Sequence, residues 1–190
     1  ELTEELLAEG VTFSEVGDGT VNFTELVAKL ITKGESITDG IEKMFARIDG
    51  SICLLILHAD GIYAARDRLG YFSLAIGEKG GSWAVSTETT AFPNLDFELK
   101  KFLRPGEVML IGPGGLKEKR EGNQDQQTCA FLWIYTGFPA SFYEGINVET
   151  VRERSGRALA RRDRDIEVVV VAGIPDSGTS HAIGYAMESG

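Results

Sequence analysis

The stretch Glu167-Val-Val-Val-Val-Ala-Gly-Ile-Pro-Asp-Ser-Gly-Thr-Ser-His-Ala-Ile-Gly-Tyr-Ala-Met-Glu-Ser-Gly190 decides the fold class of the C-terminal part. Its apolar run at 168–171 does not alternate with polar residues, which predicts a buried parallel strand covered on both faces. Gly173 and Pro175 end that strand, and residues 179–187 are predicted to form a helix. A lone strand-loop-helix unit cannot bury its own apolar faces, so we expect this part of the chain to be cut short.

The loop between strand and helix, Pro175-Asp-Ser-Gly-Thr-Ser180, is the strongest candidate for a binding site. Backbone N–H groups at a helix N-terminus, glycines and hydroxyls suit a phosphate or a hydrated metal ion. Ligands of open α/β sheets bind beyond the carboxyl ends of strands, where this loop is expected. A capped turn without a ligand would use the same residue types. The predicted binding residues are Asp176, Ser177, Gly178 and Thr179.

Composition limits the classes of partner and the compartment. The chain has 29 acidic and 19 basic residues, which disfavours unaided nucleic-acid binding. Arginines concentrate in residues 152–164, where interleaved acidic residues predict a solvated helix face with internal ion pairs. No signal peptide or membrane-length apolar run is seen. Two cysteines are too few for a disulfide framework, so the reducing cytoplasm is the expected location.

The order of elements predicts an α+β fold. Residues 23–31 and 41–48 have the spacing of amphipathic helices. Short strand candidates joined by glycine-containing turns follow, which predicts an antiparallel sheet. We predict a layered first domain at 1–113, a connector at 114–128 and a second domain at 129–190. The strand candidates are 51–57, 62–66, 74–77, 83–87 and 107–111; beyond them, 130–135 is predicted to be strand-like and 148–162 helical.

A search for a catalytic nucleophile assigns no residue. Cys53 lies inside an apolar run and is predicted to be a buried, unreactive thiol. Cys129 precedes another apolar run, and packing is the first interpretation there as well. The two histidines have no partner at a catalytic spacing. Asp67 and Glu88 lie at predicted strand ends, where hydrogen bonding within a turn is the ordinary role.

Six motifs, in this order along most of the chain, resemble those of glutamine phosphoribosylpyrophosphate amidotransferases (amidophosphoribosyltransferases). Each motif is weak alone, whereas their shared order is specific. They are Asn22-Phe-Thr-Glu-Leu-Val-Ala-Lys-Leu-Ile31, Arg66-Asp-Arg-Leu-Gly-Tyr-Phe-Ser-Leu-Ala-Ile-Gly77, Ser86-Thr-Glu-Thr-Thr-Ala91, Arg104-Pro-Gly-Glu-Val108, Cys129-Ala-Phe-Leu-Trp-Ile-Tyr135, and Ile174-Pro-Asp-Ser-Gly178 with Ala182-Ile-Gly-Tyr-Ala186.

The resemblance implies a two-domain enzyme of purine biosynthesis. An N-terminal-nucleophile domain, a four-layer αββα sandwich, would release ammonia from glutamine. An α/β phosphoribosyltransferase domain would then join that ammonia to phosphoribosyl pyrophosphate. The expected fold is therefore a partial αββα sandwich followed by the start of a phosphoribosyltransferase-type domain. The implied partners are glutamine, phosphoribosyl pyrophosphate and further copies in a homo-oligomer, with no nucleic acid or membrane.

Departures from the family pattern leave the activity open. Family members begin with the catalytic cysteine, whereas residue 1 here is Glu1, so this portion is expected to be inactive alone. Phe23 occupies the position of a glutamine-binding carboxylate, which Asp18 could replace only in another register. Phe72 and Leu132 also replace polar residues. The alternative is a non-catalytic, amidotransferase-like binding or regulatory protein; a relative of asparagine synthetase or glucosamine-6-phosphate synthase is disfavoured by the loop at 175–180.

Two cofactor positions follow from the resemblance. Ser177 matches a magnesium ligand beside the pyrophosphate, and magnesium takes only one or two protein oxygens. Cys129 matches a cysteine that ligates an iron–sulfur cluster in one branch of the family. Such a cluster needs more thiolates than these 190 residues contain. Magnesium is therefore expected for the parent enzyme, and a cluster is possible but unsupported.

Overall fold

The computed structural model describes residues 1–14, 16–17 and 20–190, so Asp18 lies outside the described residues. The chain forms two compact units, Glu1–Ser51 and Ile52–Gly190. Neither unit ends at the boundary predicted near residues 113–128, which stays a prediction. No described helix is both long and apolar enough to cross a membrane.

The first unit is mainly helical, and its amphipathic helices confirm the predicted pattern. Asn22 and Ser36 cap α2 and α3 by accepting hydrogen bonds from backbone amides in the first turn. A β-carbon at Gly40 would strike the carbonyl of Ile31, so this glycine allows α3 to approach the end of α2. The elements are α1 (Leu2–Ala8), β1 (Val16–Gly17), β2 (Thr20–Val21), α2 (Phe23–Ile31) and α3 (Ile37–Arg47). The buried residues of α2 and α3 are Val27, Leu30, Ile31, Gly40, Ile41, Met44 and Phe45.

Two antiparallel sheets form the centre of the second unit. One has the strand order β3-β4-β8-β9 and the other β6-β5-β7. The five predicted strands are present, with small shifts at their ends. The strands are β3 (Cys53–His58), β4 (Gly61–Arg66), β5 (Ala75–Lys79), β6 (Ser82–Ser86), β7 (Glu98–Phe102), β8 (Val108–Gly112) and β9 (Gly115–Arg120).

Two of these strands were not predicted. β9 lies inside the expected connector at 114–128, so that expectation is wrong for Gly115–Arg120. Among the described strands, β9 pairs with β8 alone and so lies at the edge of its sheet, and its central residues 117–119 are exposed. Edge strands tolerate charged side chains, which hides the apolar alternation from which strands are predicted. β7 is similar, because its charged residues 98 and 100 are exposed and its charged residue 101 is half-buried.

The apolar core of the second unit lies between the two sheets. Ala64 and Met109 come from the four-stranded sheet, and Ile76 comes from the three-stranded sheet. Because both sheets supply buried side chains to one cluster, they stack face to face. The other members of the cluster are Leu74 and Leu103, with half-buried Cys53, Trp83, Val85, Ile111 and Leu116 packed against it.

The remaining elements surround the candidate site. The predicted strand at 130–135 is wrong, because Leu132–Thr136 forms a single π-helical turn. Its carbonyl groups are bound by an arginine side chain, described below, and so do not pair with a neighbouring strand. The predicted helices at 148–162 and 179–187 are present as α5 and α6. These elements are α4 (Ala91–Asn94), β10 (Phe142–Tyr143), β11 (Ile146–Asn147), α5 (Val148–Arg162) and α6 (Gly178–Ser189).

The predicted parallel strand at 168–171 is wrong for the chain as described. These residues have no strand structure, and Val169 and Val170 are 87% and 79% exposed. A strand needs a neighbouring backbone to complete its hydrogen bonds, and no described strand pairs with this segment. The apolar run identifies a segment suited to burial, which this structure leaves uncovered.

Candidate functional site

An open cleft of about 790 Å³ lies between the predicted binding loop and the segment that follows the π-helical turn. Four parts of the second unit meet there: the turn after β6, residues 135–139, the first turns of α5, and the loop leading into α6. The lining residues are Glu88, Thr90, Tyr135, Thr136, Gly137, Phe138, Pro139, Glu149, Arg152, Pro175, Asp176, Ser177, Thr179 and Ser180.

The predicted loop residues come together at one side of this cleft. Asp176, Ser177 and Thr179 line it, and Gly178 is the first residue of α6. The amide of Gly178 donates to the carbonyl of Ile174 at 2.9 Å, which closes the loop. The positive end of the α6 dipole therefore lies at this wall, where it favours a bound anion. The binding role of these four residues stays a prediction.

Close packing of α5 against α6 fixes the position of the loop. A β-carbon at Gly156 would overlap the carbonyl of His181 on α6, and one at Gly184 would overlap that of Glu153 on α5. The hydroxyl of buried Ser180 also donates to Glu149 Oε1 at 3.4 Å. Because these two glycines have no side chains, the helices approach closely. The loop leads directly into α6, so a shift of α6 against α5 would move the loop as well.

The opposite wall is held by Arg152, which is only 2% exposed. Its Nε donates to the carbonyl of Trp133 at 2.8 Å. Its Nη2 donates to the carbonyls of Tyr135 and Gly137 at 3.0 and 2.8 Å. These carbonyls belong to the π-helical turn and to the residue after it, so one buried guanidinium determines the path of the wall.

Arg152 was missed by the sequence analysis. The prediction of a solvated face with internal ion pairs is confirmed for Arg157, which pairs with Glu153 on the same helix. Arg161 is exposed as predicted, but its partner Glu188 lies on α6. The prediction is wrong for Arg152, which lies in line with the buried residues of α5. The available signal was the four-residue spacing of Val148, Arg152, Gly156 and Ala160, all buried on one face.

Glu88 has a larger role than the turn predicted for it. It lines the cleft, and its Oε2 accepts a hydrogen bond from the Tyr143 hydroxyl at 3.0 Å. Its Oε1 is buried and has no hydrogen-bond partner among the described residues. Asp67, in contrast, has the predicted turn role, because its Oδ1 accepts from the amides of Leu69 and Tyr71 at 3.0 and 3.2 Å.

The charge of the cleft is mostly negative. Glu88, Glu149 and Asp176 line it together with a single arginine. The Nε and Nη2 groups of that arginine already donate to backbone carbonyls, as described above. An unaccompanied polyphosphate would therefore meet three acidic side chains, whereas a cation or a cation–phosphate complex would be attracted.

The two cysteines lie away from this cleft. Cys53 is in the sheet core, where burial raises the pKa of its thiol to about 11. Cys129 lines a separate, almost wholly apolar pocket of about 380 Å³ with Tyr71, Phe72, Phe131, Leu132 and Thr136. Within the described residues, no group of three or more His, Cys, Asp or Glu side chains could hold a metal. These residues do not fit an iron–sulfur cluster, which is usually held by four thiolates.

Similarity to known proteins agrees with this architecture. Residues 1–94 match the family model described as "Glutamine amidotransferase domain". The amidophosphoribosyltransferase of Methanocaldococcus jannaschii is 33% identical across all of this chain, which covers 43% of that relative. The Bacillus subtilis amidophosphoribosyltransferase is also 33% identical across all of this chain, which covers 39% of it. The chain thus spans about two fifths of the length of these relatives.

A solved structure extends the similarity to three dimensions. Glutamine phosphoribosylpyrophosphate amidotransferase from B. subtilis, complexed with ADP and GMP, superposes with a TM-score of 0.88 and 32% sequence identity. The match covers 99% of this chain and 41% of that one. The predicted α+β, N-terminal-nucleophile type of fold is thereby confirmed. The chain is therefore homologous along its length to the amidophosphoribosyltransferases, and its residues 1–94 match the glutamine amidotransferase domain model.

Proposed function

We propose that this chain is part of an amidophosphoribosyltransferase of purine biosynthesis. In the parent reaction, glutamine, water and phosphoribosyl pyrophosphate give phosphoribosylamine, glutamate and pyrophosphate. Residues 1–113 would belong to the ammonia-releasing domain together with β9, which pairs with β8. Residues 121–128 would form the connector, and 129–190 would be the start of the phosphoribosyltransferase domain. The cytoplasmic location and the homo-oligomer expected from the sequence stay predictions.

The observation that carries the proposal is the cleft that joins both parts of the chain. Glu88 lies within residues 1–94, which match the amidotransferase domain, whereas Asp176 and Ser177 belong to the predicted pyrophosphate loop. Both line the same cavity. An enzyme that uses ammonia to displace pyrophosphate needs its two domains to meet where the second substrate binds, and this arrangement supports that role.

Magnesium suits the residues of the loop. The Asp176 carboxylate and the Ser177 hydroxyl offer hard oxygen donors, which magnesium prefers while it keeps several waters. The acidic lining of the cleft also favours a cation. These two residues would hold the ion, which when bound would neutralise charge on the departing pyrophosphate. The protein itself supplies the N-terminus of α6 and the wall at 135–139, which would orient the substrate.

We do not expect residues 1–190 to hydrolyse glutamine by themselves. The raised pKa of Cys53 keeps its thiol protonated at neutral pH, and the thiolate is the nucleophilic form. Cys129 lies in an apolar pocket away from the cleft. Neither environment is the electropositive, accessible kind in which reactive cysteines occur. The contribution of this part of the chain would be scaffold and substrate binding.

Calorimetric titration of the chain with phosphoribosyl pyrophosphate and Mg²⁺ tests the proposal. We expect Ser177→Ala to weaken binding by about tenfold or more, as for loss of a hydrogen bond to a charged group. Omission of Mg²⁺ should weaken binding as well, because three acidic side chains line the cleft. Ser155→Ala is the matched control, since Ser155 is exposed on α5 and does not line the cleft. Absence of binding, or equal affinity of both variants, would contradict the proposal.

The second candidate is a non-catalytic, amidotransferase-like binding or regulatory protein. Its support is the pocket that brings Phe72 and Leu132 together, two apolar residues at positions where the family pattern is polar. The same titration separates the two candidates. Mg²⁺-dependent binding that needs Ser177 favours the first candidate, part of an amidophosphoribosyltransferase. A folded chain that does not bind phosphoribosyl pyrophosphate favours the second candidate.

A further inference from the structure

Glu88 contacts the β10–β11 hairpin through Tyr143. Tyr143 is 3% exposed, and its hydroxyl donates to Glu88 Oε2 at 3.0 Å. Burial, followed by the negative charge of Glu88, raises the pKa of Tyr143, so the hydroxyl remains a donor. Next to Glu88, the Thr89 hydroxyl accepts from the amide of Phe142 at 2.8 Å. Two consecutive residues of the turn after β6, Glu88 and Thr89, thus accept hydrogen bonds from the hairpin.

Tyr143 packs against the cleft wall at Gly137. A β-carbon at Gly137 would lie 2.7 Å from Cε2 and 2.9 Å from the hydroxyl of Tyr143, so the tyrosine packs directly on this wall residue. The ring of Tyr143 also meets that of Trp133 edge-to-face, with centroids 5.7 Å apart. Trp133 Nε1 donates to the carbonyl of Ile146 in the same hairpin at 3.1 Å.

The wall is held at two places. Arg152 binds the carbonyls of Trp133, Tyr135 and Gly137, as described above. Tyr143 contacts Trp133 and Gly137 through its ring. Arg152 belongs to α5, whereas Tyr143 is oriented by Glu88. A change at Glu88, in the turn after β6, would therefore change the position of residues 135–139 through Tyr143. These residues line the same cleft as the loop at 175–180.

We propose that Glu88 is a positioning residue whose hydrogen bond with Tyr143 sets the wall at 135–139 for binding of phosphoribosyl pyrophosphate. The inference rests on the proposed function for the identity of the ligand. In this proposal, a residue of the amidotransferase part of the chain affects how tightly the cleft binds phosphoribosyl pyrophosphate. Glu88 acts through Tyr143 and Gly137, and no direct contact with the substrate is assigned to it.

The test compares variants at both ends of the hydrogen bond. Tyr143→Phe removes only the hydroxyl, and we expect the affinity for Mg²⁺ and phosphoribosyl pyrophosphate to fall by about tenfold, as for a charge-assisted bond. Glu88→Leu should act similarly. Glu88→Gln keeps an acceptor and should restore affinity to within about threefold of the wild type, because a neutral hydrogen bond remains. Tyr185→Phe is the control, since its hydroxyl contacts Asp163 at 3.4 Å and the residue does not line this cleft.

Trp133 fluorescence gives a readout that needs no ligand. In a Trp83→Phe background Trp133 is the sole tryptophan, and its emission should change in Tyr143→Phe and Glu88→Leu but not in Tyr185→Phe. Unchanged emission and affinity in Tyr143→Phe would overturn the proposal, as would a lower melting temperature with unchanged affinity. If the emission responds but the wild type binds no phosphoribosyl pyrophosphate, the proposed function fails, and the control of the wall by Glu88 is supported.

Discussion

Replacement of Gly156 by alanine should destabilise the chain through the α5–α6 contact. A β-carbon there would overlap the carbonyl oxygen of His181 and lie 2.9 Å from both its carbonyl carbon and the amide nitrogen of Tyr185. Ordinary contact at a β-carbon begins near 3.4 Å. The atoms that it meets are backbone atoms of another helix, so no side-chain rotation relieves the overlap. α6 must move as a whole.

The expected magnitude follows from two opposing effects. Overpacking costs about 1–3 kcal/mol, and a rigid backbone neighbour places this site at the upper end. Alanine is better than glycine in a helix interior by about 1 kcal/mol. The expected net loss in the free energy of unfolding is therefore about 2 kcal/mol. Because the loop at 175–180 leads into α6, affinity for phosphoribosyl pyrophosphate should fall as well.

Urea unfolding followed by far-ultraviolet circular dichroism measures this loss. Ser155→Ala is the matched control, since Ser155 is the exposed neighbour on the same helix. Its stability should remain within about 0.5 kcal/mol of the wild type, as for most surface substitutions. If Gly156→Ala proves as stable as Ser155→Ala, the close approach of α5 and α6 inferred from the structure is incorrect.

Two further predictions concern buried groups. Arg66 is fully buried, pairs with Glu144 at 2.8 Å and donates to three backbone carbonyls. Arg66→Met should cost about 3–5 kcal/mol, because it removes this ion pair and all three buried hydrogen bonds. Exposed Arg154→Met is its control, and equal urea midpoints would contradict the expectation. In a Cys129→Ser background, the rate of Cys53 modification by a thiol reagent should rise with pH toward an inflection near 11, because only the thiolate reacts. An inflection at 9 or below would show that the thiol is not desolvated.

Amphipathic helices and two-faced strands were predictable from the sequence. α2 and α3 follow the apolar spacing on which they were predicted, and capping residues mark the start of both helices. The five predicted strands of the two sheets lie close to their predicted bounds. In each case one face of the element meets a core within the same compact unit. Local pattern and tertiary packing then agree.

Elements that depend on distant contacts were not predictable. The apolar run at 168–171 has strand-forming composition, yet no described strand pairs with it. Residues 130–135 are equally apolar, but Arg152 binds the carbonyls that a strand would have offered to a neighbour. Pairing partners decide strand formation, and they are not encoded in the segment itself.

The candidate site was predictable on one side only. The loop at 175–180 has a local signature of glycines and hydroxyls before a helix. Glu88 and Arg152 have none, because their roles arise from contacts with Tyr143 and with the wall at 135–139. A charged residue at a turn or in an arginine-rich helix is ordinarily solvated. Only the fold shows that these two face the same cleft.

We infer that the loop at 175–180 and the wall at 135–139 form a pyrophosphate site. A crystal structure of this chain grown with Mg²⁺ and pyrophosphate would show whether the ligand binds there. We expect electron density for the ligand between Ser177 and Gly137, with the ion beside Asp176 and Ser177. Density confined to the apolar pocket around Phe72, or a loop at 175–180 turned away from Gly137, would contradict the claim.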